Sequence, residues 1–512
     1  ARSRAGPLLR SEGAIAVSLA TGVCLLHFLV NGRYGYFRDE LYYAACGEHL
    51  AWGYVDHAPL IAVVARFSRW LLGDSLFALR FFPALAASAK ILLTAWMVRE
   101  LGGRRFALAL AGTAVLLAPI YLTFDNFLSM NAFEPVFWML CAALAMRIVN
   151  GGDPRLWLLF GLVGGLGLLS KHSMLFFGFG MFLGLLATPE RRFFRGRWMW
   201  LGGLLAFVIF LPNLIWEIQH NLPTIEILRN IARVKNVAVT PLEFLWQQSL
   251  LVHPVATPIC LAGLYFFLRT REGKPYRFLG WTYLLVLGQM LILRGRIYYL
   301  APIYPMPLAA GAVWIEQQIA TRNTKWMKPA ILVPLVVGGI IAAPLALPLL
   351  PVEQMVKYSR FWNVERIKVE HAELGKLPQL WGDMFGWENQ AATVARVYHS
   401  LSAEEQAKCA LLTADYGQAG AIDYFGRAYG LPKAISGVNS YYLWGPRNYT
   451  GEVVVSVGLP LEKLQDLFGE IQEAAVITNE YALPEENNLP VYICRKPKLP
   501  LQQAWPKLKY YG

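Results

Sequence analysis

Cysteine is scarce in this chain: six residues among 512, with no C-x-x-C pair. That spacing rules out the common zinc and thiol-redox motifs. Cys24, Cys141 and Cys260 sit in apolar runs, and Cys46 sits in the loop that follows the first of them. Cys409 and Cys494 lie in a polar C-terminal tail. They read as two buried thiols, with a disulfide as the alternative if the tail lies outside the cell. Charge is also thin, at 16% of residues, and acid is short where grease is plentiful. Residues 1–350 hold 31 Lys and Arg against 16 Asp and Glu, whereas 351–512 hold 16 against 18. A basic excess confined to the apolar part reads as membrane orientation, and no basic face interleaved with stacking aromatics points to nucleic acid. The tail has no G-x-G-x-x-G and no phosphate loop, so a nucleotide site there has no motif behind it.

What is present is long hydrophobic runs. Hydrophobic residues make up 56% of the chain, and its mean hydropathy is +0.39. A membrane helix needs about 20 apolar residues at about 1.5 Å rise each. Candidate spans fall at 14–30, 79–98, 106–122, 133–149, 156–170, 174–188, 199–215, 250–268, 278–294, 298–317 and 329–350. The first has a signal-peptide-like core with basic flanks (Arg2, Arg4, Arg10) but no small-residue cleavage site, so it reads as a retained helix.

Placing the N-terminus in the cytoplasm makes every inner loop basic. These loops are 99–105, 147–155, 189–198, 269–277 and 319–328. The opposite loops, 31–78, 123–132, 171–173, 216–249 and 295–297, are long, acidic or only sparsely cationic. An odd count of spans leaves the tail outside. The expectation is a polytopic α-helical membrane protein of about eleven transmembrane helices (1–350) with a small extracytoplasmic α/β domain (351–512). Outer loop 31–78 carries interfacial helices. In 60–72, Leu60, Val63, Val64, Phe67, Trp70 and Leu71 share one face and Arg66, Ser68 and Arg69 the other, which suits a helix lying flat in the interface. Residues 222–249 are a weaker case.

The tail alternates strand-like and helix-like runs. "CALLTADYG" (409–417), "EVVVSVG" (452–458), "AAVITNEY" (474–481) and "VYICRK" (491–496) read as strands. "QAGAIDYFGRAYG" (418–430) and "LEKLQDLFGE" (461–470) read as helices, so a partly parallel sheet is expected. The last stretch, from "KPKLPLQQAW" on, reads as irregular.

Ionisable groups within a membrane domain are candidate functional sites. Asp39 and Glu40 follow the first span. On a helix over 38–50 they would point about 100° apart, so only one could face a substrate. Such a carboxylate could act as a general base; the competing role is capping the helix start. Lys171, followed by His172, must sit at the outer interface, ready for a phosphate or for ordinary snorkelling to lipid. Arg294, Arg296 and Tyr298 are a second outer cationic group, or an aromatic belt with its anchors. Lys90, near the centre of its span, cannot snorkel and needs a partner. Asp56, His57, Asp125, Glu134, Glu226 and Arg229 are candidates to line a polar cavity or bind an acceptor. His49, His57 and Asp56 match no standard zinc spacing, so no metal site is assigned, although a divalent metal stays open.

"FRDELYYAACGEHLAWGYVDHAPL", "LSMNAFEPVFW", "SKHSMLFF", "LPNLIWEIQHNLPTIEILRN" and "GRIYYLAPIYP" together make the chain resemble the GT-C-fold membrane glycosyltransferases. It is most similar to bacterial family 39 enzymes related to protein O-mannosyltransferases and to the lipid A aminoarabinose transferase. The resemblance implies a polyprenyl-phosphate-linked sugar as donor and an acceptor protein, lipid or glycan. It implies hexosyl or pentosyl transfer on the outer face of the bacterial cytoplasmic membrane. Asp39 matches the family's catalytic aspartate and Glu40 its neighbour. Lys171 and Arg296 fall where such enzymes hold the lipid phosphate, with Arg296 standing where lysine is common. The rival readings are a catalytically silent subunit of a membrane complex and a lipid or amphiphile transporter. The transporter would show internal repeats and half-length helices, and no repeat is visible.

Overall fold

The computed structural model describes residues 5–234, 239–364, 373 and 375–512. Arg2, Arg4 and the side chain of Arg10 lie outside the described residues. The chain divides into two compact units. One comprises 1–32, 77–214 and 238–350; the other gathers 33–76, 215–237 and 351–512.

The first unit is helical. All eleven apolar stretches carry helix, but among the described residues five helices are long and apolar enough to cross a bilayer. They are Glu12–Val30, Leu76–Glu100, Met130–Val149, Arg197–Gln219 and Met327–Ala346. A sixth arises if Pro241–Val252 and Ala256–Arg269, bent by 108°, count as one span. Proline explains where the expected spans break. The stretch 106–122 divides into Arg105–Leu116 and Pro119–Phe124, with Pro119 opening the second helix. The stretch 250–268 breaks ahead of Pro254, where His253 adopts φ 95°. The stretch 298–317 begins as the 3₁₀ segment Ile297–Ile303, and the α-helix starts only at Pro305. Close packing within the unit uses small residues. A Cβ on Gly263 would meet the Pro307 carbonyl at 1.8 Å, and one on Gly311 would meet the Ile259 carbonyl at the same distance. Helices Ala256–Arg269 and Pro305–Arg322 therefore pack backbone to backbone, as small-residue interfaces allow in membranes.

The second unit is α/β. Its sheet comprises β1 (Cys409–Thr413), β2 (Ala434–Ser436), β3 (Val453–Val457), β4 (Phe468–Ile477) and β5 (Leu489–Pro497), in the order β2-β1-β3-β5-β4. β1 runs parallel to both β2 and β3, and β5 runs antiparallel to both β3 and β4. The partly parallel sheet is thus present. Differences are local. "LEKLQDLFGE" is helical only over Leu461–Leu467, and Phe468 already pairs with Pro497 as strand. The expected strand 474–481 ends at Ile477. The terminal stretch forms the short helix Leu501–Ala504 and a 3₁₀ turn to Leu508, burying Leu501, Trp505 and Leu508 in the sheet's core. Cys409 and Cys494 are buried free thiols on β1 and β5, which β3 separates.

The segments 33–76 and 215–234 pack onto this α/β core. Helix Arg38–Glu48 lies against helix Tyr416–Phe425, where Leu41 joins Trp387 and Ala421 in one cluster. Gly420 permits the approach: a Cβ there would sit 2.9 Å from the Leu41 carbonyl carbon. Val55, Ile227 and Tyr511 bury together, tying all three segments of the unit. Helix Leu60–Leu72 buries Ile61, Ala62, Ala65 and Ser68 and leaves Val63, Phe67, Trp70 and Leu71 exposed.

Candidate active site

The carboxylate pair opens the helix Arg38–Glu48. Phe37 is extended, and the Glu40 Oε2 accepts its backbone N–H at 2.8 Å. Glu40 is fully buried and ties down an amide that the helix start leaves unpaired. Asp39, turned away, stays partly exposed and accepts a hydrogen bond from the Tyr416 hydroxyl at 3.0 Å. Burial, with the Asp39 and Asp415 charges, raises the Tyr416 phenol well above its ordinary range, so it donates.

A polar and aromatic cluster continues from there. The Tyr42 and Tyr416 rings lie 4.7 Å apart. Tyr42 donates to Asp56 at 2.8 Å and accepts from the Ser440 amide at 3.1 Å. His57 is buried, stacked on Tyr54 at 4.5 Å and edge-on to Tyr42 and Tyr43. Asp39 and Asp56 are thus held by two touching tyrosines. Arg38 pairs with Asp383 at 3.1 Å and lies 3.7 Å from Glu485 and Glu486. Burial alone would lower Arg38, but Asp383, Asp415 and Glu486 outweigh it and hold the guanidinium charged. At the far end of the helix, Glu48 gathers Arg69 at 3.1 Å, Lys433 at 2.8 Å and Arg427. Glu226 pairs with Lys509 at 2.8 Å, while Arg229 is exposed on the same helix.

In the helical unit, the Lys171 ammonium donates to Asn131 Oδ1 at 2.7 Å and to Glu134 Oε2 at 2.8 Å. It lies 4.7 Å from the centre of the Tyr299 ring and 5.8 Å from that of Tyr298. Ser173 donates to the other Glu134 oxygen, and Arg296 donates to the Tyr298 hydroxyl at 3.1 Å. Lys171, Glu134, Arg296 and Tyr298 therefore come together. An ammonium has three donors, and two are used by these oxygens. His172 turns instead to Asn213 at 2.9 Å. Arg294 is exposed on a left-handed turn with φ 51°. Asp125 meets Lys90 at 2.5 Å. Among the described residues no group of three or more His, Cys, Asp or Glu could hold a metal.

Residues 56–216 match the family of dolichyl-phosphate-mannose-protein mannosyltransferases. ArnT from Cupriavidus metallidurans, solved with undecaprenyl phosphate, superposes with a TM-score of 0.62 at 15% identity, covering 94% of this chain and 97% of that one. The chain is thus similar to the protein mannosyltransferase family over residues 56–216 and shares the fold of ArnT. A lipid A galacturonosyltransferase, RgtD of Rhizobium johnstonii, is 28% identical over 256 residues, 48% of this chain. The match spans 52% of that relative's length, about half. The oligosaccharyltransferase AglB of Archaeoglobus fulgidus, solved with an inhibitory peptide and a dolichol-phosphate, shares the fold at a TM-score of 0.52 and 12% identity. It covers 86% of this chain and 69% of that one. The long apolar helices support a multi-pass membrane protein.

Three residues of this arrangement escaped the sequence reading. Tyr416 closes the strand-like run 409–417 in a tail with no motif, whereas the strand ends at Thr413 and Tyr416 opens a helix. Asp383 and Glu486 stood among ordinary acids.

Proposed function

We propose that this chain transfers a sugar from a polyprenyl-phosphate donor to an acceptor on the outer face of the bacterial cytoplasmic membrane. In this reading eleven segments cross the bilayer, the N-terminus is cytoplasmic, the α/β domain is extracytoplasmic, and helix Leu60–Leu72 lies in the interface. Asp39 takes the proton of the acceptor's nucleophile, normally a hydroxyl. The nucleophile bonds to the anomeric carbon as the bond from that carbon to the phosphate oxygen breaks. The electron pair leaves on the polyprenyl phosphate. Lys171, through its third N–H, and Arg296 stabilise the charge that builds there. The Glu134 partner keeps Lys171 aimed, and the Tyr299 face shields it from water.

The observation that carries the reading is the split between the two neighbouring acids. Glu40 is buried in a local structural bond, whereas Asp39 remains partly exposed and is oriented by Tyr416. Its test is a choice of donors. Purified chain in liposomes is offered labelled sugar on polyprenyl phosphate or on a nucleoside diphosphate. Transfer from the lipid-linked donor alone supports the reading; transfer from the nucleotide sugar alone refutes it.

A further inference from the structure

Lys90 sits mid-helix in Leu76–Glu100 and is 1% exposed. Its ammonium donates to Asp125 at 2.5 Å and to the Ala132 carbonyl at 3.2 Å, and lies 5.3 Å from the centre of the Tyr121 ring. Each contact leads to a wall of the Lys171 site. Ala132 belongs to the first turn of Met130–Val149, the turn that presents Asn131 and Glu134 to Lys171. Tyr121 donates to the Ala301 carbonyl at 2.7 Å, in the 3₁₀ segment that carries Tyr298 and Tyr299. Asp125 directly follows Phe124, whose ring packs 5.2 Å from Tyr298.

One buried cation thus braces both the carboxylate wall and the aromatic wall. A buried ion pair gives little net stability over apolar residues of similar volume, so its geometry is the more specific contribution. Lys90 does not reach the lipid phosphate's own ligands directly; it acts through the segments that carry them.

We propose that Lys90, through Asp125, Ala132 and Tyr121, is a positioning residue that sets the Lys171 site for the phosphate of a lipid-linked donor. This inference rests on the donor reading above. The probe is undecaprenyl phosphate in detergent micelles, titrated into the full chain, with thermal unfolding and donor kinetics measured alongside. The paired variant Lys90→Met with Asp125→Leu is expected to weaken binding by about tenfold and raise donor KM alike, while kcat at saturating donor stays within about threefold. Tyr121→Phe, which cuts only the link to Ala301, is expected to weaken binding by about threefold at unchanged melting temperature. A folded paired variant that binds as tightly as wild type overturns the inference. If the paired variant does not fold, wild-type binding by Tyr121→Phe overturns it. Failure of the wild type to bind the probe removes the donor reading itself, and the inference with it.

Discussion

Tyr416 donates its phenolic hydrogen to Asp39 at 3.0 Å, bridging 377 residues of sequence. The α/β core therefore orients the carboxylate assigned as base. Removing the hydroxyl while keeping the ring should loosen that carboxylate without opening the packing. Tyr416→Phe is expected to lower kcat by about three- to tenfold, near 1 kcal/mol, with little change in melting temperature. Steady-state kinetics beside calorimetry check both parts.

The two neighbouring acids should fail in opposite ways. Glu40→Ala leaves the Phe37 amide without its acceptor at 2.8 Å. That should cost about 1–3 kcal/mol of stability, because a buried donor is left unsatisfied. Asp39→Ala should leave the melting temperature nearly unchanged and remove turnover. Thermal unfolding of the two variants, measured in one detergent, separates the roles.

Lys171 and Glu134 should show coupled stability and uncoupled activity. Lys171→Met strands a Glu134 side chain that is 4% exposed, an effect of about 3–5 kcal/mol. Adding Glu134→Gln should restore most of that stability, but not transfer. A double-mutant cycle in melting temperature, with donor turnover measured on all four proteins, is the check.

Glu486 makes the second unit sensitive to pH. Burial pushes its carboxyl up to about 8; Arg38 opposes this and Asp415 adds to it. A folded pKa above the ordinary value near 4.5 means the fold prefers the protonated acid. Stability from this group is complete below about pH 4.5 and is lost as pH rises towards 8. Glu486→Gln should flatten the fall in melting temperature between these limits and raise it on the alkaline side. Unfolding followed across that pH range decides it.

Much of this was legible because membrane physics is local. Helix follows from apolar runs, and Pro119, Pro254 and Pro305 were visible where spans were drawn through them. The opposed directions of Asp39 and Glu40 follow from 100° per residue alone. Lys90 announced that it needed a partner, but whether Asp125 supplied it depended on how two helices pack. Tyr416 was beyond reach because nothing local in "ADYGQAG" (414–420) marks it as meeting a loop near the start of the chain. The exposed apolar face of Leu60–Leu72 was legible from its periodicity, whereas the early end of Leu461–Leu467 was decided by strand pairing with β5.

The most direct measurement is turnover by Asp39→Asn in liposomes supplied with labelled polyprenyl-phosphate sugar and a competent acceptor. Asparagine keeps the size of the side chain and can still accept from Tyr416, but it cannot take up a proton. A drop of about a hundredfold or more with unchanged unfolding and unchanged undecaprenyl phosphate binding is the predicted result. Wild-type turnover by this variant contradicts the account.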